Sequence, residues 1–95
     1  MPLFVYILAP RPNGAIYVGS TNDLARRVEQ HRSDAVSAHT KRYNIKTLVW
    51  FEAHDDLEAS LSRERAIKRW KRAWKNPLIE ECNPKWHDLS QDILF

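Results

Sequence analysis

The residues of this chain that suit chemistry on an anionic ester are two tyrosines, an arginine, a histidine and a glutamate: Tyr6, Tyr17, Arg27, His31 and Glu64. A phosphodiester repels nucleophiles, so its hydrolysis requires charge neutralisation, an activated water and help for the leaving oxygen. A guanidinium neutralises phosphate charge, a carboxylate holds a divalent cation, and a phenol or an imidazole handles the proton of the water. This set of side chains therefore suits phosphodiester cleavage.

Glu64 is the candidate metal ligand, because hard cations such as Mg²⁺ prefer oxygen and can be held by one carboxylate with waters and phosphate oxygens. Leu57, Leu61, Glu64 and Lys68 follow one another at spacings of four, three and four. That spacing predicts a helical stripe on which Glu64 projects partly toward the sheet, beside two leucines. The alternative is a surface carboxylate paired with Lys68, which the helix pattern alone favours.

Either tyrosine is a candidate general base. A free phenol has a pKa near 10, so only about one in a thousand is ionised at pH 7, and a nearby cation must lower that pKa or the proton must move onward. We favour Tyr17 as the base and Tyr6 as the group that orients water or phosphate, although the sequence leaves the order open. The alternative for each is a core side chain with its hydroxyl at the rim.

The remaining candidates carry structural alternatives. Arg27 offers phosphate a bidentate fork, and Arg26 points about 100° away on a helix, so only one of the two is expected to face a cleft. His31 is a candidate proton shuttle or phosphate contact, or else a histidine at a helix end that faces the helix dipole. Gly19 is predicted to be structural, allowing a tight turn from strand into helix.

The elements that must position these residues follow from hydrophobic pattern and turn signals. Strands are predicted over 3–8, 15–20 and 47–51, and helices over about 23–33, 55–71 and 73–81, with a loop at 34–45 and Pro77 near the start of the last helix. Tyr6 and Tyr17 share parity about the first turn, so they are expected on one face of the sheet. The fold class is α/β (an α+β sandwich), with a small three-stranded antiparallel sheet flanked by helices.

Length and composition describe one small domain over residues 1–95. The chain is 43% hydrophobic and has one cysteine, Cys82, which fits a reducing, cytoplasmic setting. The apolar run at 3–9 is too short for a membrane span and lacks the flanks of a signal peptide, so no membrane association is expected. No zinc-ligand spacing joins Cys82 to a histidine.

The charge distribution indicates a polyanionic partner more clearly than the net charge of +3 does. Residues 63–75 contain seven lysines and arginines and one acid, Glu64, although a solvated helix face is the simpler explanation for such a run. Trp70 and Trp74 lie in this segment; they are able to stack on bases, but their spacing favours the buried side of one helix. The candidate nucleic-acid contacts are Lys41, Arg42, Lys68 and Lys71.

Two short motifs carry a resemblance to a known family. Phe-Val-Tyr at 4–6 and Tyr-Val-Gly at 17–19 resemble the paired strand motifs of the GIY-YIG nucleases, except that Phe4 stands where the family usually has glycine. Arg27 and Glu64 match the arginine and glutamate of that family's active site, and His31 matches a position that is often histidine. The match at Arg27 selects it over its neighbour Arg26, which is expected to be a solvated charge.

The later segments at 63–70 and 83–86 look like the small single-domain branch of these endonucleases, with the amino-terminal nuclease domain of the excinuclease C subunit as a more distant relative. Asn83 matches a position near the family's site, although asparagine before proline is commonly a turn former. The resemblance implies a GIY-YIG-like fold and a DNA endonuclease that uses Mg²⁺ or Mn²⁺, in DNA repair or recombination.

The implied partner is DNA, with branched or damaged duplex among the open substrates, and a protein partner or self-association is one source of specificity. Two alternatives belong to other classes. One is a nucleic-acid-binding module without catalysis, which the exchange of glycine for Phe4 keeps open. The other is a protein-interaction domain, which predicts neither DNA affinity nor metal binding.

Overall fold

The computed structural model describes residues 3–32 and 45–90. Within them the predicted order of elements is confirmed: strands β1 (Leu3–Ala9) and β2 (Tyr17–Thr21), helix α1 (Leu24–Arg32), strand β3 (Thr47–His54), and helices α2 (Leu57–Arg69) and α3 (Arg72–Cys82). The three strands form one antiparallel sheet in the order β2-β1-β3, which confirms the α/β class. No helix within the described ranges has the length and apolar character that crossing a membrane requires.

One face of the sheet carries both tyrosines. Tyr6 lies opposite Gly19, and Leu8 lies opposite Tyr17. Because residues directly opposite in an antiparallel pair project to the same side, Tyr6 and Tyr17 share a face, as the strand parity predicts. Helix α1 covers this face with Leu24 and Val28, which belong to the same apolar cluster as Tyr6.

The opposite face packs against α2 and α3 through a second apolar cluster, which includes Val5, Ile67 and Ile79. A register shift in the pairing of β1 with β3 sets Ile7 against Trp50 and Leu8 against Leu48. Val49 is therefore an extra residue in β3, and it joins the same cluster as its neighbour Trp50. This β-bulge, which the sequence pattern did not predict, directs two consecutive residues of β3 into the same apolar cluster.

Aspartates begin two of the helices. The Asp23 carboxylate accepts a hydrogen bond from the backbone of Arg26, and that of Asp56 accepts from the backbones of Glu58 and Ala59, so each helix has an aspartate at its N-terminus that satisfies free backbone N–H groups. The prediction for Pro77 is wrong, since this residue lies inside α3 rather than at its start.

The sheet-facing side of α2 differs from the predicted leucine stripe. Leu57 and Leu61 are 59% and 38% exposed, whereas Ser60 and Ile67 are the buried residues of the helix. Glu64 follows Ser60 by four positions and precedes Ile67 by three, so it lies on the inward face because of these two residues and not because of the leucines.

The two tryptophans of the basic segment do not lie in one helix. Helix α2 ends at Arg69, Trp70 has an extended backbone that caps it, and α3 begins at Arg72. The predicted shared helix face is therefore wrong. Trp70 packs against the core, while Trp74 is 60% exposed.

Candidate active site

The hydroxyl group of Tyr6 is the point at which the predicted residues converge. The Tyr6 side chain is fully buried. Its Oη accepts a hydrogen bond from Nε of Arg27 at 3.3 Å and lies 3.3 Å from Nε2 of His31. The ring of Tyr17 packs 6.3 Å from the Tyr6 ring and 4.9 Å from the His31 ring. Strand parity and helical spacing thus bring four of the five predicted side chains together.

Burial sets the protonation state of Tyr6. Removal from water raises the pKa of Tyr6 to about 12, and the hydrogen bond from Arg27 only partly opposes that rise. The same hydrogen bond raises the pKa of Arg27, so this pair is a neutral phenol beside a permanent cation. Tyr17 is only half-buried. Of the two tyrosines, it is the one whose hydroxyl an incoming water can reach more easily.

His31 is a neutral imidazole at pH 7. It is 1% exposed, and burial, followed by the charge of Arg27, lowers its pKa to about 4. His31 lies in the last turn of α1, where the helix dipole favours a cation, but burial and the charge of Arg27 lower its pKa. Its Nδ1 atom is buried without a hydrogen-bond partner.

The lowered pKa of His31 predicts a specific acid sensitivity of the fold. Between pH 6.5 and about 4 the unfolded chain binds a proton at His31 that the folded protein does not bind, so stability rises with pH across this window and is lost as pH falls. From pH 7.5 to 5.0 this residue alone should cost about 2 kcal/mol. Urea unfolding of the wild type and His31→Gln at both pH values measures the effect.

The comparison cancels the other titrating groups, because both proteins contain them. We expect the wild type to lose more stability than His31→Gln on acidification. Equal losses in the two proteins would show that His31 does not have this depressed pKa.

Gly19 provides space and not a turn. It lies in the middle of β2, and its φ is not positive, so the predicted role in turning the chain is wrong. A Cβ atom at this position would lie 2.6 Å from Oη of Tyr6 and 3.1 Å from the ring of Tyr17. Only glycine therefore lets β2 pair with β1 while the Tyr6 hydroxyl keeps its place.

The Glu64 carboxylate lies beside the edge strand β2. Its Oε1 accepts a hydrogen bond from Oγ of Ser20 at 2.6 Å and its Oε2 accepts one from Nζ of Lys68 at 2.6 Å. The Glu64 side chain is only 16% exposed. Burial on its own raises the pKa of Glu64, but the hydrogen bonds from Lys68 and Ser20 outweigh it and hold the pKa below its ordinary value, so the group is ionised at neutral pH.

The Glu64 carboxylate and the tyrosines lie on the two sides of β2. Ser20 directly follows Gly19, and neighbouring residues of a strand point to opposite faces. Glu64 is nevertheless close enough for its charge to contribute to the raised pKa of Tyr6. Ser20 was missed by the sequence analysis; the available signal was its position next to Gly19, with its side chain directed toward α2.

The oxygen donors around Glu64 fit a hard cation held mainly by waters and phosphate. In the described residues no group of three histidine, cysteine, aspartate or glutamate side chains could hold a metal ion. The hydroxyl of Ser60, one helical turn before Glu64, is buried without a hydrogen-bond partner. Ser60 and Ser20 line a small cleft of about 220 Å³, and Glu64 is not part of its lining. One carboxylate with nearby hydroxyls suits Mg²⁺ or Mn²⁺, provided that Lys68 releases Oε2.

A larger cleft of about 470 Å³ lies along the start of α1, and its lining includes Arg26, Arg27 and Gln30. Both arginines therefore line a cleft, which corrects the prediction that only Arg27 would. Their positions are not equivalent, since Arg27 also reaches inward to Tyr6 and donates from Nη1 to Oε1 of Gln30 at 3.3 Å. Arg27 thus connects the cationic cleft to the buried phenol.

The structure does not place Asn83 at the site. Asn83 is buried at the end of α3, where its amide donates to the carbonyls of Val49 and His87 and accepts from the backbone of His87. Val49 belongs to β3, which lies on the far side of β1 from β2. Asn83 is therefore a structural residue that ties the end of α3 to the sheet.

The predicted nucleic-acid contacts fall in different places. Lys41 and Arg42 lie outside the described residues. Lys68 forms the ion pair with Glu64, and Lys71 is exposed at the start of α3. Lys68 therefore borders the candidate site at Glu64.

Comparison with known proteins identifies the family of this chain. The family model of the GIY-YIG catalytic domain matches residues 2–77. A UPF0213 protein of Haloquadratum walsbyi is 37% identical over 78 residues, which cover 82% of this chain and 86% of the relative. A UPF0213 protein of Clostridium perfringens is 30% identical over 90 residues, covering 95% and 96%.

The fold has a solved counterpart as well. The solution NMR structure of a UPF0213 protein from Bacillus halodurans matches with a TM-score of 0.59 at 25% identity, over 100% of both chains. The matched family region contains both tyrosines, Arg27, His31 and Glu64 but ends before Asn83. The chain therefore belongs to the GIY-YIG family, a superfamily of nucleases, and is similar to its small UPF0213 members.

Proposed function

We propose that this protein is a metal-dependent endonuclease that hydrolyses phosphodiester bonds of DNA. Membership of the GIY-YIG nuclease superfamily supports a nuclease that acts on DNA. The observation that carries the proposal is the convergence of Arg27 and His31 on the Tyr6 hydroxyl, together with the position of Arg27 in the lining of the cleft at the start of α1.

Arg27 binds the phosphate in this proposal. Its guanidinium has five N–H donors, so it can hold Tyr6 and Gln30 and still donate to a phosphate oxygen. Because Tyr6 and Gln30 fix the plane of the guanidinium, the group does not need to reorganise when negative charge grows on the phosphate.

Tyr17 takes the proton of the attacking water. The raised pKa of Tyr6, about 12, keeps that phenol protonated at neutral pH, and full burial removes it from water. Tyr17 is half-buried beside Arg27, so a water can reach it, and it gives up its own hydroxyl proton as it accepts the proton of that water. Tyr6 then orients Arg27, and the neutral His31 is able to accept a proton that leaves the cluster.

Glu64 would hold Mg²⁺ or Mn²⁺, with Ser20 fixing the orientation of the carboxylate. The cation, when bound, supplies charge neutralisation at the phosphate and stabilises the leaving oxygen. Lys68 is half-exposed, so it can move away from Oε2 and contact DNA instead.

Phe4 does not weaken the proposal. Its ring packs against Phe51 with the centroids 6.3 Å apart, and neither Tyr6 nor Arg27 depends on it for a hydrogen bond. The residue that replaces the usual glycine therefore extends the core beside the site without filling the site.

A nicking assay tests the function. We expect supercoiled plasmid, or else a single-stranded or branched DNA, to be cut in the presence of MgCl₂ or MnCl₂, and cutting to stop with EDTA. DNA binding that weakens with salt, without cleavage of any of these substrates in either metal, would overturn the proposal in favour of a catalytically inactive binding module. The substrate that is cut fastest would indicate whether repair or recombination intermediates are the targets.

A further inference from the structure

A second surface with an unusual combination of side chains lies where α2 meets α3. Trp74, in the first turn of α3, is 60% exposed. It borders a groove of about 370 Å³ whose lining also includes Trp70, Pro77 and Leu78. Large exposed aromatic side chains on one open groove are typical of binding surfaces.

The core does not account for the position of Trp74. Trp70 is held from one side by the core and from another by Arg63, whose guanidinium carbon lies 5.4 Å from the centre of the Trp70 ring. Trp74 contacts Trp70 edge to face, with the ring centroids 6.3 Å apart. Helix α3 is anchored by the buried Ile79. Trp74 is thus held in place by its neighbour while most of its surface faces solvent.

The chain segment that carries both tryptophans is strongly basic, although among the described residues the one charged residue in the lining of the groove is Glu81. Residues 65–75 contain six lysines and arginines and no acid. Arg72 donates to the carbonyl of Gly14, and Lys75 donates to the carbonyl of Lys68. Both bonds end on uncharged acceptors, so they leave the charge of these two residues, close to Trp74 in the sequence, available to a bound anion.

The exposed indole and the basic segment together indicate which kind of molecule binds in the groove. A second copy of the chain would bring the same cations against themselves, which is unfavourable. A nucleic-acid strand offers phosphates to the cations and a flat ring to the indole, and stacking of bases on aromatic side chains within a basic groove is the general mode of single-strand binding. Duplex DNA keeps its bases stacked inside and presents no free ring face.

We propose that Trp74 stacks on an unpaired nucleobase of a DNA strand whose phosphates contact the basic residues of 65–75. The proposal rests on the proposed nuclease function and specifies its substrate class as DNA with single-stranded nucleotides.

Binding of fluorescein-labelled oligonucleotides in EDTA, followed by anisotropy, tests this site without cleavage. We expect Trp74→Ala to weaken binding of oligo-dT by about tenfold or more, while Trp74→Tyr, which retains a stacking ring, stays within about threefold of the wild type. Affinity for a duplex of equal length should change less than twofold in both variants, in contrast to oligo-dT.

An abasic strand of the same length separates stacking from charge and needs no variant. We expect the wild-type protein to bind it about as weakly as Trp74→Ala binds oligo-dT. Wild-type protein that binds the abasic strand and oligo-dT equally, or Trp74→Ala that retains wild-type affinity for oligo-dT, would overturn the proposal. Self-association that disappears in Trp74→Ala, with unchanged DNA affinity, would assign the groove to a second copy and overturn it as well.

The experiments can refute the nuclease function and the stacking site independently of each other. Trp74-dependent binding of oligo-dT without metal-dependent cleavage of any DNA would refute the nuclease function and leave the stacking site standing. Metal-dependent cleavage without a contribution of Trp74 to single-strand binding would refute the stacking site alone.

Discussion

Replacing Glu64 with glutamine is expected to reduce metal-dependent cleavage by about a thousandfold, because loss of a charge-stabilising metal ion removes several kcal/mol of transition-state stabilisation. Glutamine has the shape of glutamate and an amide oxygen that still accepts from Ser20. It loses the negative charge that attracts the cation and Lys68. The nicking rate at several Mg²⁺ concentrations measures the effect.

Glu58→Gln is the matched control for this variant. Glu58 lies in the first turn of the same helix and is exposed, so the substitution makes the same change of charge away from the site. We expect Glu58→Gln to cut like the wild type. A Glu64→Gln protein that is folded and cuts within about threefold of the wild-type rate would rule out Glu64 as the metal ligand.

Replacing Arg27 with lysine should lower the cleavage rate by about a hundredfold, in the range found when one preorganised donor to a developing charge is removed. Lysine retains the positive charge but has a single nitrogen, so it cannot bond Tyr6 and Gln30 in the present geometry and present a fork to phosphate. Single-turnover cleavage at saturating protein separates this loss from weaker DNA binding.

Arg26→Lys provides the comparison, because Arg26 lines the same cleft and is exposed. The cleavage rate of Arg26→Lys should fall by less than about tenfold, and this fall should come mainly from weaker DNA binding. Equal single-turnover losses in the two variants would mean that the contact of Arg27 with Tyr6 has no part in the reaction.

The half of the site that lies on the α1 face of the sheet was predictable from periodicity. Strand parity placed Tyr6 and Tyr17 on one face, and the four-residue spacing of Arg27 and His31 placed both beside that face. These rules succeed because the residues lie in regular elements whose boundaries are marked by a turn and by the Asp23 cap.

The inward position of Glu64 was predicted from the sequence, but for a wrong reason. Hydrophobicity suggested that Leu57 and Leu61 face the sheet, but the close approach of α2 uses the small Ser60 and the branched Ile67. The break between α2 and α3 was predicted near residue 72 and lies at residues 70–71, although neither glycine nor proline occurs between Arg69 and Arg72. Trp74 is exposed because of that break.

The close approach of two chain segments is a second property that the sequence pattern does not encode. A glycine that makes room for a hydroxyl and a glycine that turns the chain look alike in a sequence, and only the distance from Gly19 to Tyr6 separates them. Ser20 has no catalytic signature either, because its function depends on which helix lies over β2.

The position of β2 has a consequence for how the protein responds to heat. As the outer strand of the sheet, β2 holds Tyr17 and Gly19 on one side and Ser20, the anchor of Glu64, on the other. Peripheral strands detach at a lower free-energy cost than central ones. Detachment of these five residues would remove Tyr17 from Tyr6 and Ser20 from Glu64, while of the described core residues that are buried only Val18 leaves its cluster, so warming should inactivate the protein before it melts.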